Sequence, residues 1–502
     1  MTEKLARGMH PDPTPATTGH HTDDSGAHGD HGGGLKRGLS NRHLQLIAIG
    51  GAIGTGLFMG AGKTISLAGP SVILVYAIIG FMLFFVMRAM GELLLSNLNY
   101  KSLRDAVSDI LGPGAGFVTG WTYWFCWIVT GMADLVAITG YVQYWWSGVP
   151  LWLPGAGAIL LLFVLNLAAV RLFGEMEFWF AIIKILAIVA LIFTGLVMVV
   201  SHFESPDGSV AQFSNLVDHG GFFPNGITGF LAGFQIAIFA FVGIELAGTA
   251  AAETEDPVRT LPRAINSIPV RIVVFYVLSL AVIMMVIPWD RVHTDSSPFV
   301  QMFALAGLPA AAGIINFVVL TSAASSANSG IFSTSRMLFG LSLEGAAPRR
   351  WAKLSANQVP ARGLLFSIVC LIPGVAVMYA GSSIIEAFTL ITTVSSVLFM
   401  VVWAYILVAY IVYRRRNPQL HAASVFKMPG GVAMAVVVLV FFVGMVGVLT
   451  LENDTRSALL ATPVWFLILG AGWWFSGGAR GAASRSQLTG PTTPVTPATT
   501  AS

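Results

Sequence analysis

Charge is what this sequence has least of. Asp, Glu, Lys and Arg make up 10% of its 502 residues, where a soluble domain carries roughly 25%, so too few are present to cover a water-facing surface. Cysteine is nearly missing as well. The two present, Cys126 and Cys370, sit inside apolar runs, which reads as packed thiols and excludes a disulfide framework or a thiolate metal site. The ten histidines fall in tails, loops or the ends of apolar runs, so a membrane-embedded hydrolase would lack its histidine base. No phosphate-binding G-x-x-x-x-G-K-[ST] occurs, which removes ATP-driven pumping by this chain. Alternation over about 10-residue segments, the mark of a membrane β-barrel, is also absent. Neither an enzyme, nor a cofactor or metal site, nor a nucleic-acid partner is expected.

What abounds is apolar: 55% of the residues are hydrophobic and the mean hydropathy is +0.76. Twelve apolar runs follow one another, at about 44–64, 70–95, 114–146, 152–170, 177–201, 226–251, 270–288, 310–341, 363–381, 385–413, 430–450 and 459–476. Since a span needs roughly 20 apolar residues, the expected fold is an all-α integral membrane bundle of about twelve transmembrane helices. Residues 1–35, rich in Gly, His, Asp, Thr and Pro, and 477–502, rich in Thr, Pro, Ala and Ser, read as disordered tails around a polytopic domain of 36–476. No cleavable signal peptide is read in the polar stretch before the first run.

Lys and Arg orient the bundle. With an even number of spans, one side holds both tails, Lys101, Arg104, Arg171, Arg259, Arg263, Arg271, Arg349, Arg350, Lys353, Arg362 and the run Arg414-Arg415-Arg416. The other side holds only Lys63, Arg291 and Arg456. This bias makes the tail side cytoplasmic and the location the bacterial cytoplasmic (inner) membrane.

The sharpest local signal is Gly50-Gly51-Ala52-Ile53-Gly54-Thr55-Gly56 in the first run. Each interior glycine costs a helix about 1 kcal/mol relative to alanine, so four in seven residues predict an unwound stretch. Irregular backbone at membrane depth is tolerated only where it is buried in protein or lines a cavity. Unwinding leaves a helix N-terminus near Gly56 whose amides and positive dipole end suit a carboxylate, and the Thr55 hydroxyl could add to it. The alternative, close helix packing through small residues, accounts for one glycine face but not for Gly50-Gly51 and Gly54-x-Gly56 together. The sixth run carries a matching segment, Phe239-Ala240-Phe241-Val242-Gly243-Ile244-Glu245, whose unwound end would expose carbonyls to an ammonium group. Interruptions in the first and sixth runs are what a five-plus-five inverted repeat, with two further helices appended, places there. Together they predict a secondary transporter of a small zwitterion.

Ionisable groups inside spans are expensive and default to functional candidates. Lys184 lies well inside the fifth run, Glu245 follows the sixth-run break and Asp134 is in the third run. Lys184 is either a proton carrier standing where a sodium ion would otherwise sit, or half of a structural pair with Glu177 or Glu245. Glu245 is expected to shape or gate the break, and Asp134 to take a hydroxyl or backbone partner or join the site directly. Arg88 and Glu92, one turn apart, are expected to pair. In the eighth run, Ser322, Ser325, Ser326, Asn328 and Ser329 are candidates to face a cavity, with helix–helix hydrogen bonds as the alternative. The aromatic run Trp121, Tyr123, Trp124, Phe125 and Trp127 reads as cavity wall, interfacial belt or both, the belt being favoured for its earliest members.

The stretch Asn41-Arg42-His43-Leu44-Gln45-Leu46-Ile47-Ala48-Ile49 leading into the glycine segment and on to Leu57-Phe58 resembles the opening signature of the amino acid–polyamine–organocation permeases, amino acid transporter branch. The likeness continues through Met90-Gly91-Glu92-Leu93, Phe178-Trp179-Phe180 with Lys184, Phe241-Val242-Gly243-Ile244-Glu245 and Pro262-Arg263-Ala264-Ile265-Asn266, and spans about residues 35–476. The resemblance implies proton-driven import of small zwitterionic amino acids by alternating access, D-alanine, D-serine, glycine and D-cycloserine being the implied cargo. It gives the carboxylate to the amides of Thr55 and Gly56 and the ammonium to carbonyls of Ala52, Phe239, Ala240 and Val242, and it makes Lys184 a proton or sodium-surrogate group. Implied partners are the substrate, protons and the lipid bilayer, with the proton gradient as energy source. The rivals are an exchanger or permease for another neutral amino acid and, in another class, a passive channel. A channel needs a continuous polar pore, whereas polarity here gathers at two breaks. Nothing in the sequence sets an oligomeric state.

Overall fold

The structure, a computed structural model, describes residues 53–100, 102–167, 170–206, 208–246, 256–355, 357–379 and 383–475. Both expected tails, and with them the amino-terminal histidines and Gly50, Gly51 and Ala52, lie outside these residues. The described part is helical, with an isolated β-bridge between Glu204 and Val210 and no strand.

Among the described residues eight apolar stretches are long enough to cross a membrane, and the first of them, Gly60–Ser96, holds two helices. These are α1, described over Thr55–Phe58 and Gly60–Ala68, and α2, Val72–Ser96, joined by a tight turn at Gly69–Ser71. Then come α3 (Pro113–Gln143), α4 (Trp152–Leu167), α5 (Val170–Val200), α6 (Gly226–Phe241), α7 (Pro257–Val286), α8 (Pro309–Leu343), α9 (Ala361–Val377), α10 (Ile384–Arg416), α11 (Gly431–Val448) and α12 (Asn453–Phe475). Among the described residues a helix thus lies in each of the twelve predicted runs. The seventh begins at Pro257, ahead of the expected 270, because the polar Pro257–Asn266 segment is helical and Asp256 caps it by accepting the Arg259 amide.

The interior is organised on α3, which packs along α8 and α10. These are sites where small residues let backbones approach, since lipid supplies no hydrophobic force between helices. Gly374 of α9 sits against Met132 of α3, and Gly330 of α8 against Trp127. The outer faces of α5, α11 and α12 carry exposed Phe193, Val443 and Leu467, as lipid-facing positions require.

Two of the helices that depart from regular geometry are α7 and α6. In α7, Pro269 removes an amide donor, and the wider-wound Ile272–Leu278 turns follow three residues later. In α6 the α-helical part stops at Ala237 and tightens into a 3₁₀ turn over Ile238–Phe241.

Two expectations need correcting. Arg88 and Glu92 find partners elsewhere rather than each other. Arg88 reaches Asn266 (2.9 Å) and the Lys427 carbonyl and lies over the Phe426 ring. Glu92, fully buried, accepts the Met428 amide at 2.8 Å and binds His421. The segment between α10 and α11 folds back over the end of α2 and supplies a backbone donor to the buried Glu92 and a carbonyl and a ring to the half-buried Arg88. The aromatic run is not a lipid-interface belt either. Trp124 and Trp127 are buried, Trp124 donates to Ser367 at 3.2 Å, and half-buried Trp121 donates to the Ala346 carbonyl at 3.1 Å. Their indoles are committed to helix packing.

Candidate substrate site at the crossing of two broken helices

The chain enters α1 through Gly54, whose backbone is extended (φ −130°, ψ −165°), and turns helical at Thr55. The first helical bonds run from the Leu57 and Phe58 amides to the Gly54 carbonyl, at 3.2 and 3.3 Å. The amides of Thr55 and Gly56 precede them, so this end presents N–H groups as a new helix start does. Just upstream, Ser322 of α8 donates to the Ile53 carbonyl at 3.2 Å.

Beyond the 3₁₀ turn, α6 opens at Val242 (ψ 135°) and Gly243 (φ 96°). A side chain at 243 would be strained in that left-handed region, which is why glycine occupies it. The turn is held by three-residue bonds from Val242 to Phe239, Ile244 to Phe241 and Leu246 to Gly243. Tyr276 of α7 donates to the Ala240 carbonyl at 2.9 Å and stacks on Phe241 with ring centroids 4.8 Å apart.

The two breaks touch. A Cβ on Gly56 would lie 2.5 Å from Ala240 Cα, 2.7 Å from Ala240 N and 2.9 Å from the Phe239 carbonyl carbon. Only a residue without a side chain lets the amide-bearing start of α1 cross the carbonyl-bearing end of α6 at this distance.

Polar side chains flank the crossing. Thr55 donates its hydroxyl to Asp134 Oδ1 at 2.7 Å, with both groups buried. The threonine hydroxyl is therefore committed to α3, and the backbone amides are what α1 leaves on offer. Glu245 is buried and accepts the Tyr123 hydroxyl at 3.2 Å. Among the described residues, Asp134 Oδ2 and Glu245 Oε2 complete no full hydrogen bond, with the Ser326 hydroxyl beside Asp134 and the Trp403 indole beside Glu245.

Lys184 belongs to a second cluster. Its Nζ donates to Ser325 Oγ at 3.1 Å, and Ser325 donates to Glu177 Oε2 at 2.7 Å. Asn328 donates to Glu177 Oε1 at 3.0 Å and receives Asn166 at 2.9 Å. Of the cavity candidates, Ser325 and Asn328 are thus spent on this network between α4, α5 and α8, and Ser329 is buried beside them. The fifth-helix lysine meets Glu177 through Ser325, and Glu245 pairs with Tyr123 instead. Sequence reasoning missed Tyr276 and Asn166, since an aromatic hydroxyl or a lone amide carries no spacing signal, and it placed Tyr123 in the aromatic run without foreseeing its bond to Glu245. Glu177 had one: seven residues before Lys184 is two turns back on the same helix face.

An amino acid permease pattern matches residues 43–480. The chain belongs to the amino acid permease family. It is therefore a multi-span membrane transporter and not an enzyme. The D-serine/D-alanine/glycine transporter of Escherichia coli (strain K12) is 65% identical over 451 residues, covering 90% of this chain and 96% of the relative. The amino-acid permease AapA of Bacillus subtilis (strain 168) is 51% identical over 435 residues, 87% and 94% of the two chains. A probable threonine/serine transporter of the same organism, YbxG, is 41% identical over 435 residues, with the same 87% and 94% coverage.

Proposed function

We propose that this permease imports small zwitterionic amino acids, D-alanine, D-serine and glycine with the analogue D-cycloserine, by proton symport and alternating access. The observation that carries the reading is the contact of the two breaks at Gly56 and Ala240. A zwitterion brings its carboxylate and ammonium on one carbon, so its site needs donors and acceptors side by side. Here amides of Thr55 and Gly56 face the carboxylate, with Ile53 and Gly54 shaping the approach. Carbonyls of Ala52, Phe239, Ala240 and Val242 take the ammonium, while Phe241 and Gly243 set the α6 turn. The 65% identity to a transporter named for D-serine, D-alanine and glycine supports the cargo. Asp134 and Glu245 shape and gate the crossing. Lys184 carries the coupled proton, because an ammonium buried at 2% exposure is costly to keep charged. The basic loops support a bacterial inner-membrane location with both termini cytoplasmic.

The test is uptake into proteoliposomes of glycine, D-alanine, D-serine and a bulky neutral amino acid, with and without an inward proton gradient. Gradient-dependent accumulation of the three small substrates is expected, and Lys184→Ala should abolish it while inserting normally. Accumulation that ignores the gradient, or a preference for the bulky substrate, refutes the reading.

A further inference from the structure

Glu177 is buried to 6% exposure in a membrane helix, and binding an amino acid at the crossing gives it nothing to do. Its surroundings are those of an ionised carboxylate: Ser325 donates to one oxygen and Asn328 to the other. That charge is tolerable while Lys184 is an ammonium one hydroxyl away. Were Lys184 to lose its proton to water alone, Glu177 would be left as a buried charge with no counter-ion among the described residues, which is strongly unfavourable. A proton passed between them leaves both neutral. The two groups are therefore coupled, and the Asp134 charge also acts on Lys184.

The layout gives the pair a direction. Glu177 precedes Lys184 by two turns of α5, roughly 10 Å along the axis, toward the end marked by Arg171. Asn328 lies one turn beyond Ser325 on α8, toward the end followed by Arg349 and Arg350, and Asn166 closes the series near the end of α4. Lys184, Ser325, Glu177, Asn328 and Asn166 form one hydrogen-bonded line from mid-span toward the basic face. Asn166 at its far end is half-buried.

We propose that Glu177 is the inward-side acceptor of the Lys184 proton, receiving it through the Ser325 hydroxyl. This rests on the proton-symport reading above. In the step, an N–H bond of the Lys184 ammonium breaks as a new O–H bond forms on Ser325. The original Ser325 O–H breaks as one forms on Glu177 Oε2, giving a neutral amine, an unchanged serine and a carboxylic acid. No electron pair leaves the line and no co-reactant is required. The amides of Asn328 and Asn166 do not relay the transferred proton. They hold a polar surface along which water reaches Glu177 and takes the proton to the cytoplasmic side.

The experiment uses proteoliposomes of the full chain and labelled glycine. Accumulation under an inward proton gradient is compared with counterflow exchange, and internal pH is followed with a trapped dye. Glu177→Gln keeps an acceptor for Ser325 but no site for the proton. It should lower accumulation and glycine-driven proton entry more than about tenfold, while exchange falls less than about threefold. Ser325→Ala should lose proton entry too, and Glu177→Asp should restore part of it. Wild-type accumulation and proton entry in Glu177→Gln overturn the proposal. Equal loss of exchange and accumulation also overturns it, since that marks a structural role. Wild-type transport indifferent to the gradient is a different failure: it removes the symport reading itself.

Discussion

Replacing Gly56 by alanine is the smallest perturbation that tests the crossing. The added Cβ would sit 2.5 Å from Ala240 Cα, where ordinary van der Waals contact starts at 3.4 Å. Ala240 N and the Phe239 carbonyl carbon, at 2.7 and 2.9 Å, are backbone too, so no side chain can swing aside. The breaks must part by about 0.9 Å, and inserting a methyl group into packing this tight costs about 1–3 kcal/mol. Since the same backbones carry the amides and the carbonyls, the substrate's two ends lose their register. A misplacement near 1 Å is worth about 100-fold in a positioned site, and an affinity loss of about 1.4–3 kcal/mol corresponds to a KM raised roughly 10- to 100-fold. Gly60→Ala is the control. There the new Cβ meets the Ile236 Cγ2 methyl at 2.8 Å, a side chain rather than the backbone that carries the site, and a smaller change in KM is expected. The assay is concentration-dependent glycine uptake at matched membrane protein levels. A Gly56→Ala permease with the wild-type KM would mean that the crossing does not hold the substrate.

Tyr276→Phe removes the 2.9 Å bond to the Ala240 carbonyl but keeps the ring on Phe241. A bond worth about 1 kcal/mol predicts a KM raised about fivefold, and unchanged uptake would show that this carbonyl needs no support. Asp134→Asn retains an acceptor for the Thr55 hydroxyl and should transport better than Asp134→Ala, which strands that hydroxyl. Equal activity of the two in initial-rate uptake would remove the hydroxyl bond from the account. Glu92→Ala leaves the buried Met428 amide without its acceptor and should destabilise the detergent-solubilised protein by about 1–3 kcal/mol. Glu92→Gln should lose less, and identical melting curves for both variants and the wild type would refute this.

The spans and the first break were legible because both are written locally. Apolar runs have a length, and Gly54 and Gly56 have a backbone cost that no neighbour offsets. What escaped the sequence was pairing between distant positions. Thr55 seemed free to meet a carboxylate until α3 placed Asp134 under its hydroxyl. Arg88 and Glu92 had the right spacing for a pair, but the segment after α10 brought better partners to each, 329 residues downstream in the case of His421. The tryptophans of α3 looked interfacial by type, and only their neighbours on α8, α9 and α10 show them to be interior packing. Gly243 was noticed for its composition, and its positive φ supplies the reason for it.

The Lys184–Ser325–Glu177 line also has a timetable. Ser325 is made 141 residues after Lys184, which at about 5–20 residues per second is roughly 7 to 28 s of synthesis. Through that interval α5 holds an ammonium and a carboxylate with neither α8 hydroxyl nor α8 amide to receive them. Asp134 has no such wait, because Thr55 precedes it. The half-made chain therefore carries these two groups without their α8 partners between the emergence of α5 and that of α8.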